Sequence, residues 1–209
     1  MNKNTFHRNE LLAETVIKGL ESRNMTGHYA ESREAALALA LSLIGEGSSV
    51  TMGGCTSAIE IGLVDALKNG NYRFIDRDAY EDKRAAMLAA YDADVFLTSA
   101  NAMSSDGVIV NIDGNGNRVA AITWGPKKVI FVVGLNKVAP TVEAALARAR
   151  STASPINAQR FDIQTPCRTD GVCHNCNSPE SICSYVHFLR NSRNKGRHVV
   201  VLVGEDLGY

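Results

Sequence analysis

The sequence predicts an α/β fold: a mixed, mostly parallel sheet with helices on both faces. Short apolar runs alternate along the chain with stretches of helical spacing. The apolar runs are continuous rather than alternating, as strands covered on both faces must be. One pair of β-rich runs, 108–112 and 118–123, flanks Asp113-Gly114-Asn115-Gly116-Asn117. Asp-Gly and Asn-Gly steps suit a tight hairpin, so one antiparallel pair is expected to interrupt the parallel order.

Residues 11–23 place Leu12, Val16, Ile17 and Leu20 on one side of a helix. Ser32 starts a second helix, which runs to Ile44 and stops at Gly45 and Gly47. Residues 49–52 form a strand, and Gly53-Gly54 turns it into a helix over 56–68. A strand at 72–75, a helix at 82–91 and buried strands at 94–99 and 128–133 follow. Pro140 suits the start of a helix over 141–150, and 198–203 is the last buried strand. The region 151–184 breaks this rhythm and holds four of the five cysteines.

A chain of 209 residues with 45% hydrophobic content fits one globular domain, 1–209, with a substantial core. Lys plus Arg and Asp plus Glu are 22 each, so the net charge is zero and no nucleic-acid partner is expected. The short basic cluster Arg190, Arg193, Lys195 and Arg197 reads as a solvated helix end. The polar start of the chain is not a signal peptide, and no run reaches the roughly 18 apolar residues of a membrane span. A cytoplasmic protein without a membrane partner is expected, and a homo-oligomer is allowed. In that compartment clustered cysteines point to metal or redox chemistry more than to disulfides.

Cys167, Cys173, Cys176 and Cys183 have the spacing C-x5-C-x2-C-x6-C within a loop at about 165–184. The central C-x2-C lets two thiolates converge on one centre, and thiolates select zinc or iron–sulfur clusters over hard cations. Four buried structural cysteines in 17 residues of patternless loop are a poorer account. One tight pair with two outlying cysteines favours a wrapped 4Fe-4S cluster, with zinc as the alternative. His174 is expected to be an exposed imidazole. His187, four residues after Cys183, is expected on the same helix face, as helix surface or behind the metal ligands.

Met52-Gly53-Gly54-Cys55-Thr56-Ser57 joins a strand to a helix. Glycines allow close backbone approach, the helix start attracts a small anion, and Thr56 or Ser57 can cap it. It is neither a dinucleotide fingerprint nor a P-loop. Cys55 at a helix start is a candidate nucleophile, although an inert small residue is the commoner case. The stretch 98–107 follows a buried strand and carries many small polar groups to the C-terminal end of the sheet, where open α/β sheets bind ligands. The candidate ligand-binding set is therefore Gly53, Gly54, Cys55, Thr56, Ser57, Glu60, Ser99, Asn101, Ser105 and Asp106.

Several motifs together resemble one known family. Residues 50–63, with Gly53-Gly54-Cys55-Thr56-Ser57 and Glu60-Ile61-Gly62-Leu63, are similar to its G-G-S-x-T-x-x-E-I-G-L signature, with Cys55 in place of serine. Residues 94–112, with Ser105-Asp106-Gly107-Val108-Ile109-Val110, are similar to its strand, Ala-rich loop and T-G-T-I-V-like strand. Residues 126–137 resemble its P-x-x-x-I-x-V-V-G-x-N-K stretch, and 201–208 its terminal L-V-G-E-x-L-G. The family is the LUD (lactate-utilisation) domain, including the lactate-utilisation protein C group, and the cysteine motif belongs to a subset of it. The resemblance implies a fold like that of the ribose-5-phosphate isomerase, glucosamine-phosphate deaminase and CoA-transferase group. It implies a redox accessory part in oxidising L-lactate to pyruvate, alongside iron–sulfur partner subunits. The fold's relatives suggest the alternative of a stand-alone enzyme or ligand-binding regulator for a phosphorylated or CoA-linked metabolite, with structural zinc. No catalytic residue is carried over.

Overall fold

The computed structural model describes residues 2–209, apart from the side chains at positions 78 and 83. Six parallel strands form the main sheet in the order β1-β10-β7-β4-β2-β3. They are β1 (Thr26–Ala30), β2 (Ser49–Met52), β3 (Arg73–Ile75), β4 (Val95–Thr98), β7 (Lys128–Gly134) and β10 (His198–Val203). The central strands are apolar on both faces because both are covered. Val199, Val201 and Val203 pack with Ala36, Ala40 and Leu63 of helices α2 (Arg33–Ile44) and α4 (Leu63–Asn69). Val200 and Leu202 point the other way, onto Val16 and Leu20 of α1 (Lys3–Ser22) and Ile122 of α6 (Asn117–Thr123).

The antiparallel pairing is confined to a second sheet, ordered β8-β5-β6-β9. Its strands are β5 (Ala102–Ser104), β6 (Ile109–Asp113), β8 (Val138–Ala139) and β9 (Tyr185–Leu189). Met103, Ile109 and Leu189 face the main sheet's core. Ala102, Val110 and Ile112 face Ala145 and Ala149 of the long helical segment beyond β8. That segment starts as α7 (Val142–Arg148) and continues through a π turn (Ala149–Ala153) into α8 (Ser154–Ala158). Pro155 lacks the N–H that an α-helix needs at that point, and the widened turn accommodates the loss.

Four expectations are corrected. The hairpin around residues 113–117 is instead a strand-to-helix turn. Asp113 Oδ1 accepts from the Gly116 N–H at 3.3 Å and Oδ2 from the Val119 N–H at 3.1 Å, so its carboxylate caps α6. The hairpin lies one strand earlier, joining β5 to β6 through Ser105-Asp106-Gly107. The helix expected to carry His187 is strand β9, and the basic cluster follows it in a loop rather than ending a helix. The helix over 56–68 is broken at Ile61-Gly62 into α3 (Thr56–Glu60) and α4, with Gly62 in the left-handed conformation.

Candidate functional site

The chain leaves β2 toward β3 on one side, whereas β4 lies on the other side of β2. Loops leaving the C-terminal ends of neighbouring strands in opposite directions open a crevice there. A cavity of about 570 Å³ occupies it. Gly54 and Thr56 from the β2–α3 turn, and Ser99 and Asn101 after β4, line one side. Arg118, Lys137, Arg160, Glu180 and Tyr209 line the rest.

The centre of the crevice floor is Lys137, 3% exposed. Its Nζ donates to Ser57 Oγ and Ser99 Oγ, each at 3.1 Å. Ser99 Oγ donates onward to the Val132 carbonyl at 2.7 Å. Burial, with the Arg148 and Arg118 guanidiniums adding repulsion, lowers the Lys137 ammonium to about 8. Arg118 is held by Asn101 Oδ1 at 3.0 Å and the Ile112 carbonyl at 2.6 Å, with Asp113 Oδ2 3.8 Å from its Nε. Arg160 donates to Tyr209 Oη and Asn157 Oδ1. Two buried or half-buried cations thus face a polar cavity, an arrangement suited to a small anion.

The candidate ligand set divides on this geometry. Gly54, Thr56, Ser99 and Asn101 line the cavity, and Ser57 orients Lys137. Glu60 lies at its margin, where Oε2 accepts from the Gly208 N–H at 2.7 Å. Gly53 makes room for protein rather than ligand: a Cβ there would sit 2.9 Å from the Phe96 ring and 3.0 Å from Arg118 Cγ. Cys55 is 2% exposed and burial pushes its thiol up, the opposite of an activated nucleophile. It is also the cap position of α3 and makes no side-chain cap, so the capping expected of Thr56 or Ser57 is absent. Ser105 and Asp106 belong elsewhere, on the β5–β6 turn. Asp106 pairs with Arg23 and Ser104, and Ser105 Oγ donates to the Pro140 carbonyl at 3.0 Å. Their part of the stretch has already turned away from the crevice when it enters β5.

The four clustered cysteines line a second cavity, of about 270 Å³, together with Ser154, Thr165 and the apolar Ile112, Ile182 and Val186. All are free thiols. Cys167 sits on the short helix α9 (Pro166–Asp170), which ends at Gly171 in the left-handed conformation. Cys173 and Cys176 follow in the loop, and Cys183 precedes β9. The loop is pinned by Gln159 Nε2 to the Cys167 carbonyl at 3.2 Å and Ser178 Oγ to the Gln164 carbonyl at 2.9 Å. Burial first, then the neighbouring Cys167, Cys173 and Cys176, push the Cys183 thiol up. Among the described residues no three His, Cys, Asp or Glu side chains are gathered tightly enough to hold a single metal ion. His174 is engaged by Asp170 at 2.7 Å. His187 faces away from Val186, and its Nε2 lies 3.1 Å from Thr123 Oγ1.

Ile112, Ser181 and Ile182 line both cavities, so the cationic crevice and the thiol cavity share a wall. Sequence reasoning missed the two cations that define the crevice. Lys137 ends the 126–137 stretch quoted above, which was its signal. Arg118 had none, because its segment read as a strand.

A family model for the LUD domain matches residues 13–203, which include both cavities' cysteines, cations and most lining loops. The solved structure of a DUF162-family protein from Deinococcus radiodurans has a similar fold, with a TM-score of 0.54 at 15% identity, covering 93% of this chain and 97% of that one. No curated protein is significantly similar. With the family model spanning nearly the whole fold, the chain belongs to the LUD-domain family.

Proposed function

We propose that the protein is a redox accessory subunit of L-lactate or related 2-hydroxyacid oxidation. In this reading it binds the small acid in the cationic crevice and carries a 4Fe-4S cluster in the thiol cavity. The observation behind the reading is the shared wall of Ile112, Ser181 and Ile182 between an anion-suited crevice and a cavity lined by four thiols. The donor set fits the cluster: four cysteines, an apolar flank and a cavity of about 270 Å³, far larger than one ion. The cysteine-only donor set, one tight C-x2-C pair with two outlying cysteines, suits a wrapped cluster, with one tetrahedral zinc as the alternative. Cys167, Cys173, Cys176 and Cys183 would hold it, and such a cluster supplies one-electron transfer toward iron–sulfur partner subunits.

This chain's own groups do the rest. Arg118, whose Nη2 is already held by Asn101 Oδ1 and the Ile112 carbonyl, has Nη1 left to pair with the carboxylate. Lys137 sets the charge of the crevice floor, and Ser57 and Ser99 hold its ammonium in place. Thr165 Oγ1, 3.6 Å from Cys167 Sγ, and Ser154 beside Cys183 offer hydrogen bonds to sulfur of the kind that tune a cluster's potential. The test is iron, sulfide and zinc analysis of anaerobically purified protein. About four irons and four sulfides per chain, lost in Cys173→Ser with the sheet still folded, are expected for this cluster type. One zinc and no iron would move the chain to the structural-zinc alternative.

A further inference from the structure

Lys137 is a buried amine without a carboxylate partner. Among the described residues no ion pair includes it, and its two hydrogen bonds go to the neutral hydroxyls of Ser57 and Ser99. Glu60, the acid on α3 that faces it, has an oxygen engaged by the Gly208 N–H. The other ionisable groups around it are Arg118 from α6, Arg148 from α7 and the buried thiol of Cys55. An ammonium kept only for its charge is costly at such a position without an anion. Nothing lies within 4 Å of where a Cβ on Gly54 would be, so that turn leaves room for a ligand on its side of the cavity, while Gly208, where a Cβ would sit 3.0 Å from Lys137 Nζ, bounds the amine on another side.

We infer that Lys137 is a nucleophile that forms an imine with the carbonyl carbon of a small 2-oxo acid held in the crevice. The inference deepens the reading above and rests on it for the substrate class. Arg118 takes the carboxylate, and the carbonyl next to that carboxylate then lies deeper in the crevice, toward the amine. The Lys137 amine is lowered to about 8, mainly by burial, so a usable fraction is unprotonated near neutrality. The neutral Nζ attacks, the C–N bond forms, and the carbonyl electron pair moves to oxygen, which takes up a proton. The nitrogen lone pair then closes the C=N bond as the C–O bond breaks and water leaves. Ser57 and Ser99, both within hydrogen-bond reach of Nζ, are the groups placed to pass these protons. Amine plus carbonyl gives imine plus one water, with no oxidant or reductant, and hydrolysis reverses it.

The test incubates the full chain with pyruvate and cyanoborohydride and maps the modified peptide by mass. The expected product is Lys137 carrying the acid less one oxygen. Its rate of formation should climb as pH rises through about 8, and excess L-lactate, which has the carboxylate but no carbonyl, should suppress it. Lys137→Arg should remove the adduct. Because that variant could disturb the crevice, mapping of the wild type decides: labelling confined to exposed lysines such as Lys18 and Lys127 overturns the inference. Calorimetry with pyruvate separates the two levels. Binding without trapping overturns the imine and leaves the ligand class standing, whereas no binding overturns both.

Discussion

His198 is 4% exposed, and burial disfavours its charged form in the folded chain. Nε2 lies 2.7 Å from the Arg197 Nη1 donor and 2.9 Å from the Ile122 carbonyl, so a donor and an acceptor meet at one nitrogen. Nδ1 lies 2.8 Å from Ser192 Oγ, which donates its own proton to the Asn194 carbonyl. Burial, with Arg197 and His187 adding repulsion, lowers the imidazole to about 4, against about 6.5 unfolded. The unfolded chain therefore binds more protons between those values. Stability is complete above about pH 6.5 and falls as pH drops toward 4, by about 3 kcal/mol at most from this residue. His187, also lowered by burial, acts in the same direction, so the comparison that matters is between wild type and His198→Gln. Urea midpoints should show a shallower pH slope in the variant; equal slopes would exclude this role. In the crevice, Arg118→Met should weaken carboxylate binding tenfold or more, on the order of 1.5–3 kcal/mol for a charged hydrogen bond, as read by calorimetry. Gly54, Thr56 and Ser99 were legible as candidates, and they line the crevice, because small polar groups at a strand end have a local signature. Lys137 and Arg118 were not, because a single cation becomes a site residue only through the burial that the fold imposes.

At the scale of elements, the junctions were less legible than the strands. Runs such as 128–133 and 198–203 announce themselves by apolar continuity, and β7 and β10 lie there. Residues 113–123 satisfied hairpin chemistry equally well. The outcome turned on the Asp113 carboxylate capping α6 and on Val119 and Ile122 burying the same helical face, a preference that depends on the core beneath. Asp113→Ala should cost about 1–2 kcal/mol as a lost cap, and it should loosen Arg118 as well, so urea stability and anion affinity fall together. A second junction is the crossing of α1 over the β5–β6 turn. A Cβ on Gly19 would sit 2.5 Å from the Asp106 backbone carbon, and one on Gly107, at φ +92°, would sit 2.7 Å from the Gly19 and Leu20 backbone. Gly19→Ala gains up to about 1 kcal/mol of helix propensity but forces two backbones apart. We expect net destabilisation of about 1–3 kcal/mol, as for an overpacked core. Unchanged or improved thermal stability would mean that the two elements separate without penalty.

For the whole molecule, the division into two sheets matters more than the mixed pairing the sequence suggested. The six-stranded sheet carries the crevice at its C-terminal edge. The small sheet, through Ile112 of β6 and Val186 of β9, builds one side of the thiol cavity. Because Ile112, Ser181 and Ile182 belong to both cavities, occupancy of one is expected to be felt in the other. The sign follows from charge. An anion in the crevice raises the cost of adding an electron beyond the wall, so ligand binding should lower the midpoint potential of the proposed cluster. By linkage, reduction should weaken ligand binding by the same factor. A tenfold change corresponds to about 59 mV for one electron. Redox titration of anaerobic protein with and without saturating L-lactate reads the shift, and calorimetry on the oxidised and reduced forms reads the reciprocal change in affinity. Ile182→Ala, which thins the wall without touching a thiol or a cation, should alter the shift while leaving the iron content intact. A potential unmoved by saturating ligand would mean that the shared wall insulates the two cavities, and the crevice would then serve a reaction separate from the cluster.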